Sequence, residues 1–276
     1  MKCIILAAGY ATRLYPLTEN FPKPLLEVGG KPILDWLIGD LEKSGLIDEY
    51  IVVSNHKFAP IFQNWADSKL STLNAKLSII DDGTFTNETR LGAVRDIQLA
   101  INGGFQMVNG KCVNGKLNDD LFVMAGDNLL SFSLCDFIAY AQQKDTSCIM
   151  RYYEPDEQKL HKTGVAEVDD QDKILSMEEK PAEPKSHWCC PPFYYIIKAD
   201  VPKVDEAIDG GCGVDAPGSF IAWLCRQTTV HAWEMPGPRY DIGNLESYEA
   251  VKRLFENSTT NHSVLNIWHN SRITGS

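Results

Sequence analysis

Two cations, two aspartates and one Glu-Lys pair have the types and settings to do chemistry. Arg13 and Lys23 follow an apolar run, Cys3–Ala8, of the length of one buried strand. The run breaks at Gly9 into a turn. Small residues there let a backbone approach a ligand, and bare N–H groups in such a turn bind anions. Arg13 adds a planar fork suited to phosphate oxygens. Lys23 adds a point charge, on a loop that Pro22 and Pro24 make stiff. Asp127 follows a second apolar run, Leu121–Ala125, and a glycine. A carboxylate in that place can hold Mg²⁺, which takes oxygen ligands and bridges phosphates. Tyr240-Asp241-Ile242-Gly243 has the same form. Each residue also has a plainer reading: a surface cation, a turn-capping aspartate, or, for Glu178-Glu179-Lys180-Pro181, an exposed charged turn.

The whole string LAAGYATRLYPLTENFPKPLLEVGGKPI, residues 6–33, closely resembles the signature of the sugar-1-phosphate nucleotidylyltransferases. That pattern is roughly L-A-G-G or L-A-A-G, x-G-T-R-L, a spacer, P-K-P-L and G-K-P. Ala11 departs from it, standing at the second glycine. Alanine keeps the N–H but disfavours φ > 0, so a slightly displaced phosphate loop is expected. The resemblance implies that Leu6, Ala7, Ala8, Gly9, Tyr10, Ala11, Thr12, Arg13 and Lys23 bind a nucleoside triphosphate. It makes Asp127 and Asp241 the ligands of Mg²⁺, Glu179 a partner of sugar hydroxyls and Lys180 the cation for the sugar phosphate. Gly164, in Thr163-Gly164-Val165, would face the sugar with its backbone. The segment Asp82–Ala93 would read the base. Leu91-Gly92-Ala93 matches the turn found there, but the usual glutamine is missing and Asn87 is the nearest amide. An amide can pair with a pyrimidine edge, which favours UTP or dTTP. Cys190-Pro191-Pro192 replaces the usual threonine- or asparagine-glycine, which leaves the acceptor open.

The implied reaction is in-line attack of a sugar-1-phosphate oxygen on the α-phosphorus, with pyrophosphate leaving and a nucleotide sugar forming. Arg13, Lys23, Asp127 and Asp241 would be its catalytic groups. The alternatives are the same chemistry on another phosphomonoester, such as phosphocholine with CTP, and a non-catalytic regulatory homologue that binds nucleotide sugar. A dinucleotide-binding dehydrogenase is disfavoured because Gly9, Ala11 and Leu14 break G-x-G-x-x-G. Gly30-Lys31-Pro32 is not the G-K-[ST] of a phosphate-loop NTPase.

The net charge of −11 argues against nucleic-acid or anionic-membrane partners. Against it, residues 1–32 hold Lys2, Arg13, Lys23 and Lys31 with only Glu19 and Glu27, a local cationic patch. The eight cysteines form no C-x-x-C and no zinc spacing. The first residues show no charged region followed by a long apolar core and a cleavage site, so no signal peptide is expected, and no run approaches the roughly 18 apolar residues of a membrane span. A cytoplasmic protein with reduced thiols is expected. His56 and His161 stand apart from any serine or cysteine motif, and all six histidines read as structural or surface residues.

These residues need a scaffold. Strands are predicted at Tyr50–Ser54, Leu77–Ile80 and Leu121–Ala125, and helices from Pro32 to a stop at Gly45, at about 58–69 and 91–102, and from a Ser133 cap to about 143. Alternation of this kind means an α/β fold, with a Rossmann-like, mostly parallel sheet and helices on both faces. Short strands at Ile149–Tyr153, Gly164–Val168, Lys173–Ser176, Phe193–Lys198 and Thr228–Glu234 form a β-rich, sugar-binding second half. Helices are expected near 199–208 and 218–227. A last helix capped by Asn244 should bury Leu245, Tyr248, Val251 and Leu254. The predicted organisation is one nucleotidyltransferase domain over residues 1–255. Its nucleotide half covers about 1–145 and its sugar half about 146–243, and a tail or helix follows over 256–276. No C-terminal β-helix domain is expected, and a homo-oligomer is possible by analogy.

Overall fold

The computed structural model describes residues 1–104, 107–108, 111–112 and 116–260. Among them a ten-stranded sheet forms the centre. Its strands are β1 Lys2–Leu6, β2 Glu49–Ser54, β3 Lys76–Asp81, β4 Leu121–Ala125, β5 Ser147–Tyr153, β6 Gly164–Val168, β7 Ile174–Glu179, β8 Trp188–Cys190, β9 Phe193–Ile196 and β10 Val230–Glu234. They lie in the order β7-β6-β8-β5-β9-β4-β1-β2-β3, with β10 also paired to β5. The run β3-β2-β1-β4 is wholly parallel. Antiparallel pairing begins where β9 joins β4 and β5 and continues through β8, β6 and β7. The parallel pairing covers the first half and the β5–β10 pair, and the rest of the β-rich half is an antiparallel extension.

The helices are α1 Ile33–Leu41, α2 Ala59–Lys69, α3 Ala93–Ile101, α4 Leu134–Lys144, α5 Lys203–Asp209, α6 Gly218–Leu224 and α7 Leu245–Thr260, besides one short turn at Glu157–Leu160. β1 is apolar throughout because both of its faces are covered. Cys3 and Ile5 pack with Leu34, Phe62 and Phe137 of α1, α2 and α4. Ile4 packs with Val94, Val204 and Phe220 of α3, α5 and α6. Ser133 caps α4 as predicted, its hydroxyl accepting the Cys135 N–H at 3.1 Å. Asn244 Oδ1 accepts the Ser247 N–H at 2.8 Å at the start of α7.

The buried face of α7 differs from the predicted one. Tyr248, Val251 and Phe255 pack on Leu14, Leu26, Ile33 and Ile242, while Leu245 and Leu254 are exposed. A 100° step per residue lets Phe255 continue the Tyr248–Val251 stripe as well as Leu254 does. Phe255 is favoured because it packs against Gly29 and Trp36. Helix α7 thus braces the segment that follows β1. The predicted tail beyond residue 260 lies outside the described residues.

Candidate active site

In the register of the sheet, Leu6 lies opposite both Val53 and Ala125, so β1, β2 and β4 end level. The Gly9 turn and Gly126-Asp127 leave this carboxyl edge, where ligands of such sheets bind. A cavity of about 210 Å³ opens there. Leu6, Ala7, Ala8, Gly9, Ala11, Arg13, Lys23 and Asp127 line it, together with Gly243, the end of the Asp241-Ile242-Gly243 element. Two residues of the predicted anion loop do not line it. Tyr10 is buried beside Phe58 and donates its hydroxyl to the Thr84 carbonyl at 3.1 Å. Thr12 is exposed in the short 3-10 turn Thr12–Leu14.

Ala11 takes φ 48° and ψ 42°, the left-handed conformation that favours glycine. Its carbonyl accepts the Thr18 hydroxyl at 2.8 Å and the Leu14 N–H at 2.9 Å. Ala11 therefore takes the glycine-like conformation that an alanine was expected to avoid, at a cost of about 1–2 kcal/mol for an L-residue.

Lys23 opens a 3-10 turn, Lys23–Leu25, behind the extended Pro22. Its side chain is buried, with Nζ 2.7 Å from Asp127 Oδ2 and 3.9 Å from Asp241 Oδ1. The two aspartates meet because Asn128–Leu130 and Arg239–Asp241 form an antiparallel ribbon with Asp241 opposite Asn128. Arg239, which sequence reasoning missed, ties this ribbon together. Its Nη1 donates to Asn128 Oδ1 at 2.5 Å and lies 3.7 Å from Asp241 Oδ2, and Asn128 Nδ2 donates to Asp127 Oδ1 at 2.9 Å. The signal was available, since a residue two before Asp241 on a strand shares its face.

The four-cation patch read from residues 1–32 does not form. Lys2 lies at the opposite end of β1, beside Asp48 and Glu49. Lys31 sits over the Trp36 ring, 3.6 Å from its centroid. Only Arg13 and Lys23 gather at the cavity.

A second, larger cavity of about 1030 Å³ adjoins the ribbon. Gly164, Glu179 and Lys180 line it, as do Cys190, Pro191, Pro192, Arg239 and Asp241. Asp127 thus faces the small cavity and Asp241 the large one, with Lys23 between them. Glu179 ends β7, and burial raises its carboxyl above the usual range while Lys180 opposes the rise. A methyl at either of two nearby glycines would have to move a side chain of β7. A Cβ at Gly164 would stand 2.5 Å from Met177 Cε, and one at Gly218 would stand 2.0 Å from Glu179 Oε2. Lys180 leaves the strand at φ 49°, and its half-exposed ammonium lies 4.0 Å from Asp215.

Asn87, Leu91 and Gly92 line neither cavity. Asn87 Oδ1 accepts from Arg90 at 3.3 Å. Gly92 has φ 93°, and a Cβ there would stand 2.4 Å from the Val214 carbonyl oxygen. Two carboxyls are buried on either side of this segment, Asp82 just after β3 and Asp96 in the first turn of α3. Asp82 Oδ2 and Asp96 Oδ1 have no hydrogen-bond partner. Burial raises both carboxyls, and Asp96, beside the Asp82 charge, is pushed up to about 7. His56 contacts Asp81 at 2.6 Å and His161 contacts the Pro181 carbonyl at 2.9 Å, both structural links.

A nucleotidyl transferase family model matches residues 2–258. The chain belongs to this family. It is 26% identical over 261 residues to the UTP–glucose-1-phosphate uridylyltransferase AglF of Haloferax volcanii, covering 94% of this chain and 98% of the relative. It is 25% identical over 255 residues to a glucose-1-phosphate adenylyltransferase of Fervidobacterium nodosum, covering 89% and 59%. A solved UDP-glucose pyrophosphorylase in complex with UDP-glucose shares the fold, at TM-score 0.72 and 18% identity, covering 93% and 98%. The nucleotidyltransferase described here has no helix, among the described residues, long and apolar enough to cross a membrane.

Proposed function

We propose that this nucleotidyltransferase transfers a uridylyl or thymidylyl group from UTP or dTTP to a sugar 1-phosphate and releases pyrophosphate. The supporting observation is the convergence of Lys23, Asp127 and Asp241 at the seam between a small cavity with an anion loop and a large cavity with Glu179 and Lys180. Two anionic substrates that must meet at one phosphorus need such a seam. In this reading Arg13 and the backbone of the Gly9 turn hold the triphosphate and the departing pyrophosphate. Lys23 faces the α-phosphate, where charge grows, and Lys180 draws in the acceptor phosphate. The acceptor is already an anion, so no general base is needed, and positioning with charge neutralisation does the work.

The two aspartates suit Mg²⁺, because an oxygen of each already comes within 4 Å of one cationic atom, Lys23 Nζ. Asp127 and Asp241 would hold the ion, which supplies positive charge to the phosphoryl oxygens when bound. The buried unpaired thiols Cys3, Cys148, Cys189 and Cys190 suit the cytoplasm. We read residues 1–255 as one functional unit with a nucleotide half and an acceptor half. Phosphocholine finds less support as acceptor, because Arg239 already sits over the Tyr152 ring and His187 stacks on Tyr153, aromatic faces that an onium group would use.

A pyrophosphate-release screen of the common nucleoside triphosphates against sugar 1-phosphates and phosphocholine tests the reading. Release with UTP or dTTP and a hexose 1-phosphate, abolished by EDTA and restored by Mg²⁺, is expected. Release only with CTP and phosphocholine, or none with any pair, would overturn it.

A further inference from the structure

One five-residue segment, Val214–Gly218, touches both substrate regions. Its backbone is stitched to the base-segment turn: Ala93 N–H donates to the Asp215 carbonyl at 3.1 Å and Val94 N–H to the Val214 carbonyl at 3.0 Å. The contact is so close that position 92 has no room for a Cβ. At its other end, Ala216, Pro217 and Gly218 line the large cavity, with Gly218 pressed on the Glu179 carboxylate. Between them the Asp215 side chain serves two cations, one from each region. Its Oδ1 lies 2.6 Å from Arg90 Nη2, and its Oδ2 lies 4.0 Å from Lys180 Nζ. Arg90 in turn donates to Asn87.

We propose that Asp215 is a positioning residue that couples nucleotide binding to the acceptor cation Lys180. This rests on the acceptor role given to Lys180 above and on Asn87–Gly92 being the segment that reads the base. A nucleotide engaging Asn87–Gly92 orders that segment. The two backbone hydrogen bonds and the Arg90 pair pass the order to Val214–Gly218, so Lys180 and Glu179 are already arranged when the acceptor arrives. Ordering that is complete before the second ligand binds is positive cooperativity, and it is reciprocal between the sites. Each exposed ion pair is weak alone. The coupling therefore needs both halves of the bridge, and losing either cation or the carboxylate should abolish its side-chain part.

The test is titration calorimetry of glucose 1-phosphate into the enzyme, alone and saturated with α,β-imido-UTP, for wild type, Asp215→Asn, Arg90→Met and Lys180→Met. Wild type is expected to bind glucose 1-phosphate about fivefold more tightly with the analogue bound, the lower end for linked sites. In Asp215→Asn and Arg90→Met that ratio should fall toward one, and the double variant should match either single. Asp215 is more than half exposed, so its asparagine variant should fold normally. Hydrogen exchange at the Ala93 and Val94 amides, slowed by the analogue in wild type and less so in Asp215→Asn, gives a second readout. An Asp215→Asn enzyme that keeps the wild-type ratio overturns the coupling and leaves the acceptor role of Lys180 standing. A Lys180→Met enzyme that binds glucose 1-phosphate as tightly as wild type overturns both. A wild type that binds glucose 1-phosphate no more tightly with the analogue bound than without it also overturns the coupling.

Discussion

Replacing Asp96 by asparagine should shift the stability balance steadily in the variant's favour as the pH rises from acid to mild alkali. Asp96 is 6% exposed, its Oδ1 lacks a partner, and the Asp82 charge lies nearby. Its carboxyl is pushed from 3.8 up to about 7. Below about pH 4 the group is protonated in the folded and the unfolded chain, and the burial costs no ionisation energy. As the pH rises from there, the unfolded chain ionises while the folded chain holds its proton. Stability is therefore lost at about 1.4 kcal/mol per pH unit. The loss levels off once the folded carboxyl also ionises, near pH 7. A raised acid pKa thus gives stability that is fully present below the unfolded value and gone above the folded one. The whole effect is about 4 kcal/mol, a ceiling because the neighbouring Asp82 titrates with it. Asparagine keeps the shape and removes the titration, at a cost of about 1–3 kcal/mol for any amide hydrogen left unbonded. Urea denaturation of both proteins at pH 5, 6, 7 and 8 measures the difference. The gap between variant and wild type should move in favour of the variant by about 2–3 kcal/mol across that range. Parallel stability–pH curves would show that Asp96 ionises normally, and the buried-carboxyl argument would fail.

Other perturbations follow from the site geometry. Asp127→Asn keeps the shape and removes one of the two charges facing Lys23, so pyrophosphate release should drop by about 10²–10³-fold with an unchanged melting temperature; near-normal release would remove Asp127 from the chemistry. In Gly218→Ala the new methyl must displace the Glu179 carboxylate, so the acceptor KM should rise by about tenfold or more while the nucleotide KM holds. Equal rises in both would mean general damage instead. Ala11→Gly releases a left-handed strain of about 1 kcal/mol but adds a similar entropy to the unfolded chain, so its urea midpoint should hardly move. A clear loss of stability would show that Ala11 does not hold that conformation.

What was legible in the sequence divides along a physical line. Strands buried on both faces, such as β1 and β4, announce themselves as apolar runs, and α4 and α7 through the caps Ser133 and Asn244. The charged residues beside glycine and proline, Arg13, Lys23, Asp127 and Asp241, were legible because local chemistry singles them out, and the strand register then gathers them at one edge. The cationic patch failed because position along a chain is not position in space: Lys2 starts β1, and Arg13 lies in the turn beyond its other end. Asp215 carries no local signal at all. It lies in a Gly-Val-Asp-Ala-Pro-Gly stretch that reads as an ordinary loop. Its meaning comes from Arg90 and Lys180, 125 and 35 residues away, which only the packed sheet brings to its two oxygens. The sequence therefore shows groups whose own local chemistry suits a ligand. Groups that act on one another across the fold are read only from the structure, and the pairing of Asp215 with both Arg90 and Lys180 is of that kind.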